Sequence, residues 1–182
     1  GWRVVGATLS GERQMVSGAG SGGVDRIGGK GFAALVASAK QHGRLNDTNL
    51  RQRLASVYAG ERIRQWSNER IRVGRAAGQP IGPLTSIGKI HQGELNQRMQ
   101  ELAVDIIGPA ATGWQSSSTT ASRKGWYESL PTEVRGMLRS RANTIEGGTS
   151  EVNRNVVGER ILGLPREPDP YYDTPWSEVP RN

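Results

Sequence analysis

The sequence predicts an all-α fold, an antiparallel helical bundle, on three observations. Apolar residues recur every three or four positions over two long stretches, Leu50, Leu54, Val57, Tyr58 and Trp66 in one and Ile87, Ile90, Leu95, Met99, Leu102 and Ile106 in the other, the spacing that gives a helix one buried stripe. Glycines cluster between the stretches, as in Gly74 to Gly82, where helices must break. No run of useful length alternates apolar and polar residues with the period of two that a half-buried strand requires, and no internal repeat is visible.

The elements follow in order. A first helix is expected from Trp2 to Val16, with Val5, Leu9 and Val16 on one side, ended by the glycine run Gly18 to Gly23. Phe32-Ala33-Ala34-Leu35-Val36 lies in a second that continues to about Gln41, where His42-Gly43 stops it. The third opens at Asp47, whose carboxylate suits an N-cap, and runs to Val73. Pro83 sits in the first turn of the fourth, where a missing N–H removes no helical bond, and that helix runs to Ile107. The two long helices form the spine of the bundle. Ala110 to Ser129, rich in Ser, Thr and Gly, reads as a surface excursion. Pro131 restarts a helix through Val134, Met137 and Leu138, and a last one follows Gly147-Gly148, from Thr149 to about Leu162, with Thr149 or Ser150 as its N-cap. Residues 1–164 therefore make the bundle, and Pro165, Pro168, Pro170, Pro175 and Pro180 make 165–182 an extended tail.

Composition narrows the function. The chain has 182 residues, enough for one domain with a core of its own. With no cysteine it has no disulfide, thiolate metal site or cysteine nucleophile, and a reducing, cytoplasmic location is expected. No apolar run reaches the roughly 18 to 20 residues of a membrane span. A formal charge of +7 favours anionic partners, whether nucleic acid, a phosphorylated cofactor or an acidic subunit. Arg51, Arg53, Arg62, Arg64, Arg70, Arg72 and Arg75 alternate with Glu61 and Glu69, the pattern of a solvated helix face rather than of a phosphate track, so no nucleic-acid binding is expected. His42 and His91 are far apart and lack acidic or thiol neighbours at ligand spacing, so no metal site is expected. Ser116 to Ser118 have no nearby histidine and read as loop residues.

The most informative stretch is Ile145-Glu146-Gly147-Gly148-Thr149-Ser150-Glu151. Its glycines reach backbone angles closed to other residues, and Thr149 then caps a helix whose free N–H groups can hold an anion or a polarised carbonyl. A second stretch, Leu9-Ser10-Gly11-Glu12-Arg13, stands near the other end.

Together with Gly1-Trp2-Arg3, the two long helices, Ile107-Gly108 and the stretch Val157 to Pro165, these motifs resemble the C-terminal helical domain of the acyl-CoA dehydrogenases, over the chain to about Pro165. The resemblance implies an FAD-dependent enzyme that desaturates an acyl-CoA thioester between its α and β carbons. It further implies that the family's N-terminal helical and β-domains lie outside this chain, so that the piece alone is inactive. In such enzymes a glutamate removes the α-proton while a hydride leaves the β-carbon for the flavin. Its two alternative places fall here on Gly147, beside Glu146, and on Glu12, followed by Arg13. The resemblance thus makes Glu12 the base, places Arg13 at the substrate, and leaves the Gly147 N–H to bond the thioester oxygen. Glu12 also fits a solvated helix position paired with Arg13 or Arg3. For the flavin, the resemblance points to Thr149 and Glu151 in the turn, to Gln52, which matches a glutamine reaching a neighbouring subunit's cofactor, to Arg44 as a substitute for the phosphate-binding arginine, and to Gly108 in the altered element Asp105 to Pro109. Partners implied are the acyl-CoA substrate, a second copy or a related subunit in a dimer or tetramer, and electron-transfer flavoprotein as acceptor. A non-catalytic subunit of a heteromeric acyl-CoA dehydrogenase is the alternative.

Overall fold

The computed structural model describes residues 1, 4–9, 11, 31–79, 81–113 and 129–181. Among them there is no strand, and no helix is long and apolar enough to cross a membrane. Residues 4–9 are helical, with Val4, Val5 and Leu9 exposed. The expected continuation to Val16, the glycine run, and most of the polar excursion, Ser116 to Ser118 included, lie outside the described residues.

Helix α1, Gly31–Gln41, begins at a glycine with φ +67°, and the Phe32 N–H donates to Glu61 Oε1 at 2.9 Å. A carboxylate from the neighbouring long helix thus supplies the anion that a helix N-terminus favours. Gly43, φ +67°, ends α1 as expected, and the Arg44 N–H turns back to the Ala39 carbonyl at 2.8 Å, a glycine stop that satisfies an orphan carbonyl.

Helix α2, Thr48–Ala76, carries the expected cap: Asp47 Oδ1 accepts from the Leu50 N–H at 3.1 Å. Helix α3, Leu84–Ile107, follows after a short turn. Arg53 pairs with Asp105 at 2.5 Å, while His91 Nε2 donates to the Gly60 carbonyl at 2.8 Å. Early residues of α2 therefore meet late residues of α3, and the two run antiparallel. They come closest at Gly60, where an added Cβ would stand 2.7 Å from Leu95 Cδ1.

The apolar core gathers Leu35 and Ala39 of α1, Leu50, Leu54 and Val57 of α2, and Leu95, Met99, Leu102 and Ile106 of α3. It occupies one end of the α2/α3 hairpin. Tyr58, Trp66 and Ile87, expected in the buried stripes, are instead exposed, Trp66 by 67%. The periodicity assigned them to the correct elements but not to the core: Tyr58 stands at its edge, its ring 5.2 Å from that of Phe32, while Trp66 and Ile87 lie in the outer half of the hairpin, beyond the core residues. Boundaries also moved slightly: α2 runs past Val73 to Ala76, and Pro83 stands one residue before α3.

On its other side α3 meets α4, Thr132–Ser140, a 3-10 turn, Arg141–Thr144, and α5, Ser150–Arg160. Helix α5 ends two residues before the expected Leu162. Beyond it the chain is exposed and mostly extended, except for a turn at Asp169, whose Oδ1 accepts from the Tyr171 N–H at 2.9 Å, and a short 3-10 turn, Trp176–Glu178.

Candidate functional site

The α3 face turned to α4 and α5 is polar. Ser86, Lys89, Gly93, Asn96 and Gln100 stand three or four residues apart and are all buried. Gly93 allows the close approach: an added Cβ would lie 2.7 Å from the Asn143 main-chain oxygen. Around it the polar groups pair off. Asn96 Nδ2 donates to Asn143 Oδ1 at 2.7 Å, Gln100 Nε2 to Asn96 Oδ1 at 3.1 Å, and Gln97 Nε2 to the Ser140 carbonyl and Thr144 Oγ1. Buried amides are tolerated when they are bonded in this way.

The chain then enters the glycine turn. Glu146 is closed off, its carboxylate accepting from Arg139 Nη2 at 3.0 Å and from Asn143 Nδ2 at 2.8 Å. Gly147 and Gly148 have φ +67° and +90°, values that a Cβ would strain. Thr149 caps α5 as expected, its Oγ1 accepting from the Val152 N–H at 3.2 Å. Asn153 Nδ2 reaches back to the carbonyls of Gly148 and Thr149, at 3.0 and 2.9 Å, and ties the turn to the first turn of α5. Gly147 is buried, whereas Glu151 is exposed at the helix start. The Glu151 carboxyl is held below its usual range, first by its own backbone N–H, with the Thr149 hydroxyl, Arg154 and Lys89 adding to the effect.

Several buried polar groups of α3 and α5 lack a hydrogen-bond partner among the described residues, and the sequence did not single out Lys89 or Gln92 among them. Lys89 is 1% exposed, and its Nζ has no hydrogen-bond partner among the described residues. The buried Ser150 Oγ, Asn153 Oδ1 and Gln92 Oε1 are also unpartnered there. Burial pushes the Lys89 ammonium below its ordinary range, opposed by the carboxylates of Glu146 and Glu151.

The remaining expected residues stand elsewhere. Arg44 is closed on its own chain, with Nη2 2.8 Å from Asp47 Oδ2 and Nη1 donating to the Asp105 carbonyl at 3.1 Å. The Asp47 carboxyl is lowered first by that Arg44 bond and then by the Leu50 N–H. Gly108 ends α3 with φ 59°, ψ −133°, a conformation for glycine alone, and Gln52 is exposed near the start of α2. At ~1.5 Å per residue, the end of α3 at Gly108 lies about 21 Å along its axis from Glu94, which pairs with Arg154 of α5. The structure therefore brings Gly147, Thr149 and Glu151 together and separates them from Arg44 and Gly108. A cleft of about 640 Å³ lined by Leu35, Ser38, Met99, Ala103, Ile107 and Pro131 contains none of the expected site residues. Glu12 and Arg13 lie outside the described residues. Both histidine rings bond main-chain carbonyls, His42 Nδ1 that of Ser38 at 2.9 Å and His91 that of Gly60.

Residues 1–162 match the family model described as "Acyl-CoA dehydrogenase, C-terminal domain". The chain belongs to the acyl-CoA dehydrogenase family. It is similar to the acyl-CoA dehydrogenase IpdE1 of Mycobacterium tuberculosis, with 32% identity over 168 residues, 92% of this chain and 39% of that protein. The protein of the same name from Mycolicibacterium smegmatis is 30% identical over 173 residues, again 92% of this chain and 38% of the relative. This acyl-CoA dehydrogenase domain thus spans about two fifths of these curated relatives. A solved structure described as "Tcur3481-Tcur3483 steroid ACAD" shares the fold with a TM-score of 0.68 at 24% identity, covering 92% of this chain and 40% of that one. The ChsE4-ChsE5 complex from Mycobacterium tuberculosis does so with 0.54 at 23%, covering 75% and 37%.

Proposed function

We propose that this chain is the C-terminal part of an FAD-dependent acyl-CoA dehydrogenase that takes a bulky acyl-CoA and works within an assembly of at least two subunits. The observation that carries the reading is the glycine-built start of α5 at Gly147-Gly148-Thr149, with exposed Glu151 on its outer side, in a domain of this family. The turn fits the edge of a bound ligand, since the first N–H groups of a helix have no partner within it and can face an anion or a polarised carbonyl.

In this reading Glu12 takes the α-proton, and the Gly147 N–H meets the thioester oxygen as charge develops there, the role of an oxyanion-hole donor. Bound FAD accepts the β-hydride. Thr149 and Glu151 border that flavin, while Gln52, Arg44 and Gly108, at the far end of α3, serve a flavin shared with a neighbouring subunit. Their separation along α3 supports such a division, because one chain presents the two groups in different places. Glu146, bound to Arg139 and Asn143, is not the base. The bulky substrate class follows the steroid acyl-CoA dehydrogenase whose fold this chain shares, and electron-transfer flavoprotein is the proposed acceptor.

A second reading, a non-catalytic subunit of a heteromeric enzyme, is favoured by one observation: Arg44, the substitute for the phosphate-binding arginine, is committed to Asp47 and Asp105. Flavin reduction by a steroid side-chain acyl-CoA, followed in the full-length protein with its co-purified partner, separates the two. Glu12→Gln should lower the rate by at least ~10²-fold, the low end for loss of a positioned base, while Glu146→Gln leaves it nearly unchanged. The reverse pattern makes Glu146 the base. If neither substitution matters, catalysis resides in the partner.

A further inference from the structure

We propose that the acidic, aromatic tail 165–182 of one copy docks on the exposed outer half of α2 in a second copy. The pairing rests on the reading above only for there being more than one subunit. It names one contact of that assembly, and its test involves neither substrate nor flavin.

Past the core, α2 carries Ile63, Trp66, Arg70 and Val73 at intervals of three and four residues, the spacing that lines up one face of a helix. Ile63, Trp66 and Val73 are each at least half exposed. Beside them lies a recess of about 420 Å³ lined by Trp66, Arg70, Val73, Gly74, Ala77 and Gln79. Scattered apolar side chains are ordinary on a protein surface, but a row of three beside a recess marks a contact. The surrounding charge says what kind. Residues 62–75 hold five arginines and one glutamate. Arg72 pairs with Glu69 and Arg62 bonds the neutral Tyr58 and Gln65, whereas Arg64, Arg70 and Arg75 have no ion pair among the described residues. Two such surfaces placed face to face would repel, so the same patch of a second copy does not cover this one. The occupant must be apolar and acidic.

The tail has that composition. Residues 165–182 hold four carboxylates and two arginines, and both arginines are engaged within the copy, Arg166 with Glu159 at 3.2 Å and Arg181 over the Trp176 ring at 4.4 Å. Glu167, Asp173 and Glu178 have no ion pair among the described residues. Tyr172 and Trp176 are each 77% exposed, large rings that a recess can take up. Pro168, Pro170 and Pro175 hold the segment extended beforehand, so docking costs little further ordering, as when proline-rich segments settle on exposed aromatic side chains. The tail leaves α5, on the face of α3 turned away from α2, and the Arg166–Glu159 pair holds its root there. Neither its rings nor Trp66 is covered by its own chain. A second copy supplies the missing half of each contact, and exchange in both directions makes every copy donor and acceptor in a closed two-fold pair.

Charge exchange between copies tests the pairing in the full-length protein. Arg62→Glu/Arg70→Glu makes the patch acidic, and Asp173→Arg/Glu178→Arg makes the tail basic. All four positions are exposed, so both variants should keep the helical fold, checked by circular dichroism. Alone, each opposes like charges and should self-associate about tenfold more weakly in sedimentation equilibrium. An equimolar mixture matches opposite charges at both contacts and should recover most of the wild-type affinity. Unchanged association of either variant, or a mixture no tighter than its components, overturns the proposal. Cross-linking then locates the contact. A photoreactive p-benzoylphenylalanine at Trp66 in isotope-labelled protein, after subunit exchange with excess unlabelled wild type, should capture an unlabelled peptide from 165–181. Capture of a tail peptide from the same labelled copy, of another segment, or of nucleic acid overturns it as well. Protein that stays assembled while Trp66 links elsewhere refutes the pairing and leaves the assembly standing, whereas a monomer at micromolar concentration refutes both.

Discussion

The two faces of α3 make opposite interfaces. Toward α1 and α2 the helix presents Leu95, Met99, Leu102 and Ile106, and contact there is nondirectional burial of apolar surface. Toward α4 and α5 it presents Ser86, Lys89, Gly93, Asn96 and Gln100, and contact depends on the amides of Asn96 and Gln97 meeting their partners and on one glycine. The apolar face can shift a side chain and keep most of its stabilisation. The polar face cannot, because a displaced amide leaves a buried group unpaired, at a cost of about 1–3 kcal/mol. An interface of the second kind fixes position rather than merely holding parts together, and it is the one that carries the glycine turn.

The sharpest break of this comparison is a pair of alanine substitutions. At Gly93 the added Cβ meets the main-chain oxygen of Asn143 at 2.7 Å, whereas at Gly60 it meets the methyl end of Leu95 at the same distance. A main-chain oxygen moves only with its turn, so Gly93→Ala should destabilise the fold by about 1–3 kcal/mol in urea titration. Gly60→Ala should lie within about 1 kcal/mol of wild type, since turning Leu95 is offset by the better helix propensity of alanine. Equal losses would show that the two faces do not differ in rigidity.

A smaller effect is expected at the α5 cap. Thr149→Ala leaves the Val152 N–H without its acceptor and should cost about 1 kcal/mol, with faster amide exchange confined to the start of α5. Exchange spreading into α1 and α2 would mean that the faces are not separable.

The least effect is the pH dependence of Lys89. Its folded pKa lies below the ordinary 10.5, so between that depressed value and 10.5 the unfolded chain holds a proton that the folded chain has released. Stability should therefore rise with pH through this window, and the rise should vanish in Lys89→Met. Urea midpoints measured across the alkaline range check it, and identical slopes in both proteins would place the ammonium in solvent.

The helices, the caps at Asp47 and Thr149, the stop at Gly43 and the apolar face of α3 were legible in the sequence, because each depends on residues within a turn or two of one another. The same logic overreached at Trp66 and Ile87: periodicity names the side of a helix, not whether anything covers it. Arg44 was found by position; the structure adds that its guanidinium bonds Asp47 and the carbonyl of Asp105, the latter from a distant segment.

What only the tertiary structure decided is the fate of the polar stripe. Ser86, Lys89, Gly93, Asn96 and Gln100 have the spacing of a helix face, and a face of that composition reads as solvated. It is buried because α4 and α5 return along it with complementary amides, and because Gly93 lets a main-chain carbonyl come within contact of the helix. Burial of apolar surface scales with area and so leaves its mark in local composition, whereas the buried Asn96 amide depends on a partner, Asn143, that arrives from a distant segment. That partner is set by the path of the chain, which no local stretch of sequence encodes.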